Sequence, residues 1–233
     1  MTTVDNLEIL YEDNHIIAIN KRSSDIVQGD KTGDTPLNEI VKQYIKIKYN
    51  KPGDVYLGTT HRIDRPVSGI VLFAKTSKAL ERLNKMFKEK TIQKTYWAIV
   101  KNKPEHNEAH LVHYLKKNEK NNKSSAYINE KGDAKKSELK YKLIHEFNNF
   151  FLLEITPYTG RHHQIRVQLS AINCPIKGDL KYGFNRSNKD ASISLHARKI
   201  EFIHPVKKEP LTIIANPNIE DNLWNEAVNI FRK

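Results

Sequence analysis

His61-Arg62-Ile63-Asp64-Arg65-Pro66-Val67-Ser68-Gly69-Ile70-Val71-Leu72-Phe73-Ala74-Lys75 is the stretch from which the rest of the chain is read. One carboxylate, Asp64, stands between two guanidiniums on a proline-containing turn, and the turn feeds an apolar run. An exposed acid gains little from such neighbours. An acid that must stay charged in a water-poor cleft gains more, because nearby cations favour its ionised form. The run from Gly69 to Lys75 is apolar throughout its middle, which predicts a strand covered on both faces.

Upstream, Leu7–Tyr11 and His15–Asn20 read as two strands joined by a turn at Glu12-Asp13-Asn14. Gly29–Asp34 reads as a polar loop, and Thr35-Pro36 as the start of a helix with Thr35 as its N-cap. Leu37, Ile40, Val41, Tyr44 and Ile45 give that helix one apolar face. Downstream, Ser77 is expected to cap a helix carrying Leu80, Leu83 and Phe87, and Thr91–Lys101 reads as a long strand. Lys116–Ser125 is rich in lysine and asparagine and reads as a mobile loop or hairpin tip. The alternation at Leu139, Tyr141 and Leu143, a turn at Asn148-Asn149 and Phe150–Thr156 form an expected hairpin. A helix is expected near His162–Ile172, a strand at Ile193–Ile203, a further strand at Leu211–Ala215 and a terminal helix at Asn222–Phe231. Strands outnumber helices and many neighbours read as antiparallel, so the expected class is α+β.

The chain has 233 residues, 38% of them hydrophobic, enough for a real core. Its 39 Lys and Arg against 27 Asp and Glu leave a formal charge of +12, which points to a polyanionic partner. The single cysteine, Cys174, allows no intramolecular disulfide and fits a reducing cytoplasm. No signal-peptide pattern opens the chain, and no apolar run approaches the ~20 residues of a membrane span. No repeat or linker divides the sequence, so residues 1–233 are expected to form a single domain.

The Asp64 stretch resembles the motif H-R-L/I-D-x-x-T/S-S/T-G of the RluA-type pseudouridine synthases. Four further segments are similar to that family in the same order. They are Lys94–Val100 (K-x-Y-x-A-x-V), Gly160–Val167 (G-R-x-H-Q-I-R-V), Pro175–Gly183 (P-I-x-G-D-x-x-Y-G) and Leu195-His196-Ala197 followed by His204-Pro205. One such motif is weak; several in register are not. The resemblance implies a mixed, mainly antiparallel curved sheet with flanking helices and a central basic cleft. It also implies a cytoplasmic enzyme, expected as a monomer, that isomerises uridines in ribosomal or transfer RNA with no cofactor or metal. The match starts near residue 7, so no S4-like module is expected ahead of it.

By that resemblance Asp64 is the essential acid, as nucleophile or as base. Arg166 is its ion-pair partner, and Tyr96 lies against the target uracil, while Trp97 is the better candidate for plain packing. Arg62 would fill the space left by a flipped base. His61, Arg65, Arg161, His163, Ile165 and Leu195 complete the expected substrate-binding set. For His61, His163, His196 and His204 structural hydrogen bonding outweighs metal binding, since their spacing matches no zinc pattern. Asn20–Val27 lacks the Pro and Gly that the family often has there, and Val67 and His162 replace hydroxyl residues. A phosphotransferase reading fails, because Ile63 breaks the kinase-like H-R-D spacing and no glycine-rich phosphate loop is present. The remaining competitor is a non-catalytic RNA-binding or chaperone protein on the same scaffold.

Overall fold

The computed structural model describes residues 2–29 and 33–231. Residues 30–32 of the polar loop expected at 29–34 therefore lie outside the described residues. Among the described residues eleven strands and four α-helices make an α+β architecture, and every ladder described below is antiparallel. Two compact units are formed: Met1–Gln93 with Ala197–Pro217, and Lys94–His196 with Asn218–Lys233.

In the first unit, β1 (Ile9–Glu12) pairs with β2 (Ile16–Lys21), and β2 with β4 (Ser68–Ala74). The two-residue β3 (Gly58–Thr59) lies on β4, and β11 (Pro210–Ile214) pairs with β10 (Leu195–Ile203). β10 begins in the second unit and runs into the first. The apolar run is strand β4, and it is covered on both faces. Ile70, Leu72 and Ala74 join Ile16, Ala18 and Leu83 in one core cluster, while Val71 and Phe73 join Ile17, Ile19, Leu37 and Val41 in another. Period-two alternation thus sends successive residues of one strand into two cores. Each fully buried Ile, Leu or Phe contributes about 1.5–3 kcal/mol there.

Gly69 sits at φ +113, and a Cβ on it would come within 2.4 Å of the Ala197 carbonyl oxygen. Only glycine lets the backbones of 69 and 197 approach so closely.

Helices α1 (Leu37–Lys48) and α2 (Ser77–Lys88) lie where the periodicity puts them, but each cap is shifted by one residue. The N-cap of α1 is Pro36, in extended conformation and without a side-chain cap bond, not Thr35. α2 is capped by Thr76, whose hydroxyl accepts the Ala79 N–H at 3.2 Å, so Ser77 is already the first helical residue.

In the second unit the strand order is β5 (Gln93–Val100), β9 (Phe151–Pro157), β8 (Lys135–Glu146), β6 (Glu108–Asn118) and β7 (Lys123–Tyr127). The stretch expected as a loop or hairpin tip at 116–125 is a hairpin. β6 and β7 pair up to Asn118 and Lys123, and only 119–122 form its tip. Helix α3 (Gln164–Ala171) is buried along its whole first part, from Gln164 to Leu169. Helix α4 (Asn222–Ile230) is capped by Asp221 and packs Trp224, Ala227 and Val228 against Trp97, Ile99 and Leu152. Trp97 thus has the packing role expected for it. β10 begins at Leu195 and not at Ile193, and its start differs from the reading in burial too. The polar residues Ser194 and His196 are as buried as Leu195, so alternation there does not separate core from solvent.

No helix among the described residues is long and apolar enough to cross a membrane.

Candidate active site

Asp64 lies in the first unit, half-buried, on the turn entering β4. Its carbonyl accepts the Val67 N–H at 3.0 Å, which closes the turn. The next carbonyl, that of Arg65, accepts from Ser24 N–H at 3.0 Å and from Lys21 Nζ at 3.1 Å. Lys21 is wholly buried, and its ammonium also donates to the carbonyls of Arg22 (2.9 Å) and Asp25 (2.8 Å). Three acceptors for three N–H donors satisfy a buried cation completely. Burial pulls Lys21 down to about 7, against the charges of Asp25 and Asp64, which hold it up. The loop that lacks the family's Pro and Gly turns here through Ser24, at φ 77.

The neighbours of Asp64 divide by role. His61 Nε2 accepts the Leu72 N–H at 3.1 Å and its ring lies 4.9 Å from that of Phe87. That bond fixes the neutral tautomer with the proton on Nδ1. Arg65 pairs with Asp34 at 2.6 Å, whereas Arg62 is exposed. Val67, which replaces a hydroxyl residue, is buried.

Tyr96, Arg161, His163, Ile165, Arg166 and Leu195 lie in the second unit. Tyr96 is half-buried on β5, opposite Ile155. Ile165 and Leu195 are buried. Arg161 is exposed, and its backbone N–H donates to Gln164 Oε1 at 3.0 Å. Gln164 also accepts from Thr159 Oγ1 and donates to the Glu138 carbonyl, so one buried amide shapes the entry to α3. His163 is the left-handed residue at that entry, with φ 52.

Arg166 projects from α3 into a buried polar cluster that the sequence reading missed. Its Nε and Nη2 donate to the two carboxylate oxygens of Asp179 at 2.7 and 2.9 Å. Its guanidinium carbon lies 5.1 Å from the ring centroid of Tyr182. The Tyr182 hydroxyl accepts the Ser124 N–H at 2.8 Å and lies 2.9 Å from His163 Nδ1. Burial, with the charges of Arg166 and His162 adding to it, holds His163 at about 2, so the ring is neutral and can accept a hydrogen bond from the tyrosine hydroxyl. The only signal for Asp179 and Tyr182 in the sequence was the Pro175–Gly183 motif itself.

His204 is also structural. Its Nδ1 accepts from the N–H groups of Val206 and Lys207, and its Nε2 lies 3.0 Å from Asp13. Among the described residues no group of three or more His, Cys, Asp or Glu is placed to hold a metal ion.

A sequence model of the RNA pseudouridylate synthase family matches residues 15–171. The ribosomal large subunit pseudouridine synthase C of Vibrio vulnificus is 36% identical over 213 residues, covering 89% of this chain and 64% of the relative. Its namesake in Vibrio cholerae is 36% identical over 214 residues, with 89% and 64% covered. In Vibrio parahaemolyticus the identity is 35% over 228 residues, with 95% and 69% covered. The chain thus spans 64% of the length of the first two relatives. The solved structure of Human RNA Pseudouridylate Synthase Domain Containing 4 superposes with a TM-score of 0.76 at 21% identity, covering 97% of this chain and 93% of that one. For Human RNA Pseudouridylate Synthase Domain Containing 1 the TM-score is 0.72 at 21% identity, with 94% and 86% covered. At such identity the likeness is one of fold.

Proposed function

Because this chain belongs to the RNA pseudouridylate synthase family, we propose that it converts uridine to pseudouridine in RNA, with Asp64 as the catalytic carboxylate. The N1–C1′ bond breaks, the uracil turns, C5 bonds to C1′, and the C5 proton leaves while N1 gains one. Asp64 starts the reaction as an anion, by attack or by proton removal. Arg166 holds positive charge for the acid, and Tyr96 lies against the uracil. Arg62, exposed and planar, takes the place of the flipped base. Residues 1–233 act together as one catalytic domain.

The observation that carries this reading is the turn at Asp64. Its backbone is held from two sides, by Val67 N–H on the Asp64 carbonyl and by Lys21 and Ser24 on that of Arg65. A carboxylate on a fixed turn keeps one position through a reaction. The names of the relatives point to large-subunit ribosomal RNA as substrate, and the net charge of +12 suits binding to its phosphates.

The test uses a large-subunit rRNA transcript tritiated at uracil C5. The chain should release tritium, and Asp64→Asn should release none while binding the transcript with similar affinity. A wild-type chain that binds the transcript and releases no tritium would be an RNA-binding protein instead. Mapping pseudouridines in a deletion strain against its parent then names the uridine.

A further inference from the structure

The Pro175–Gly183 loop has no role in the chemistry above, yet it grips Arg166 twice. Asp179 holds the edge of the guanidinium and Tyr182, three residues on, faces it with its ring. A single 3-10 turn at Leu180–Tyr182 sets that spacing, with Tyr182 N–H donating to the Asp179 carbonyl at 3.1 Å.

The same loop is tied to the β6–β7 hairpin by three contacts. Ser124 N–H donates to the Tyr182 hydroxyl at 2.8 Å, Lys181 Nζ to the Asn122 carbonyl at 3.1 Å, and Lys123 Nζ lies 5.4 Å from the Tyr182 ring centroid. Ser124 Oγ further binds the His162 carbonyl at 2.8 Å, next to the entry of α3. Tyr182 is itself buried with Leu115 of β6 and Val167 of α3. From Lys116 to Lys123 the end of the hairpin is exposed and carries Lys116, Lys117, Lys120 and Lys123. Lys116 pairs with Asp133 and Lys117 with Glu119, and both carboxylates are exposed too, so phosphates can compete for both lysines.

We infer that Tyr182 is a positioning residue for Arg166, and that the β6–β7 hairpin, when its lysines engage the RNA backbone, sets that position through the Tyr182 hydroxyl. Binding and chemistry would then be coupled: RNA seated on the hairpin steadies the guanidinium. This rests on the reading in which Arg166 serves the reaction.

Two variants test it by single-turnover tritium release at saturating tritiated transcript, with Kd measured separately and folding followed by thermal melting. Tyr182→Phe keeps the ring and loses only the hydroxyl. The second variant replaces residues 118–123 by Asn-Gly, a two-residue turn joining the cross-strand pair Lys117 and Ser124. Tyr182→Phe should lower the rate constant about tenfold with Kd within about twofold, as small displacements of a charged group do. The shortened hairpin should weaken binding and also lower the rate at saturation. The two together should cost clearly less than the product of the single effects, since both act through one link. A normal rate in Tyr182→Phe, or a shortened hairpin that changes Kd alone, overturns the coupling. If Tyr182→Phe does not fold, the shortened hairpin decides by the same criterion. Arg166→Met separates the two levels: a fully active Arg166→Met removes the catalytic reading of Arg166, whereas an inactive one beside a normal Tyr182→Phe removes only the coupling.

Discussion

Arg166 and Asp179 form a two-point ion pair, Nε to Oδ2 at 2.7 Å and Nη2 to Oδ1 at 2.9 Å, with side-chain exposures of 6% and 1%. Two parallel N–H···O bonds fix the plane of the guanidinium as well as its place. Family resemblance implies Asp64 as the partner of Arg166; the carboxylate that orients the guanidinium within its own unit is Asp179, thirteen residues downstream.

Asp179→Asn should therefore cost more than a surface pair would. The amide turns one acceptor into a donor facing a buried cation, and breaking a buried pair costs about 3–5 kcal/mol. For a chain of this size that is a fall in Tm of roughly 10 °C. Thermal melting checks the stability, and tritium release from the C5-labelled transcript should fall in the fraction that remains folded.

Lys21→Met should uncouple the turn at Asp64 from its support. Methionine fills a similar volume but leaves the carbonyls of Arg22, Asp25 and Arg65 without their donor. Stranded buried acceptors cost about 1–3 kcal/mol each at most, less where water or a neighbour such as Ser24 N–H remains. We expect a loss of about 2–4 kcal/mol in urea unfolding. The rate of tritium release should fall further than the folded fraction does, because Arg65 adjoins Asp64.

Gly69→Ala should be poorly tolerated. The added methyl carbon meets the backbone of Ala197, which cannot swing aside as a side chain would, and φ +113 is costly for any L-residue. Strain and overpacking together should cost at least about 3 kcal/mol. A low yield of soluble protein, or a Tm lower by roughly 6–12 °C, would show it. A melting curve identical to wild type would contradict the close approach.

Glu12 makes stability depend on acid pH. Burial alone would raise its pKa, but hydrogen bonds from Lys48, Lys75, Tyr49 and Tyr44 outweigh burial and hold it at about 2. The folded chain thus binds this proton more weakly than the unfolded chain, whose carboxyl titrates near 4.5. The stabilisation is complete above about pH 4.5 and is lost as pH falls towards 2. Unfolding curves from pH 6 to about pH 2.5 should fall less steeply for Glu12→Gln than for wild type, and equal slopes would reject the assignment.

Much of this protein was legible in its residue order. An apolar run without a polar break has to be covered on both sides, and β4 is. The helices announced themselves by their apolar spacing, and the Asp64 motif with its companions identified the family before any coordinate was known. The weaker signals misled. Both helix caps lie one residue from where the sequence puts them: α1 starts after Pro36 with no side-chain cap at all, and in Thr76-Ser77 two adjacent hydroxyls compete and the path of the incoming chain selects Thr76. Most of β6 went unread because its residues alternate only loosely and one face meets solvent.

What the order of residues settled was local: which segments hide from water, and which carry charge on a turn. What folding alone decided was the company each buried charge keeps. Lys21 finds the carbonyl of Arg65 across 44 residues, and Tyr182 finds the N–H of Ser124 across 58. A hydrogen bond requires two atoms within about 3 Å in the right direction, and such a meeting depends on the whole course of the backbone rather than on either residue's neighbours in sequence.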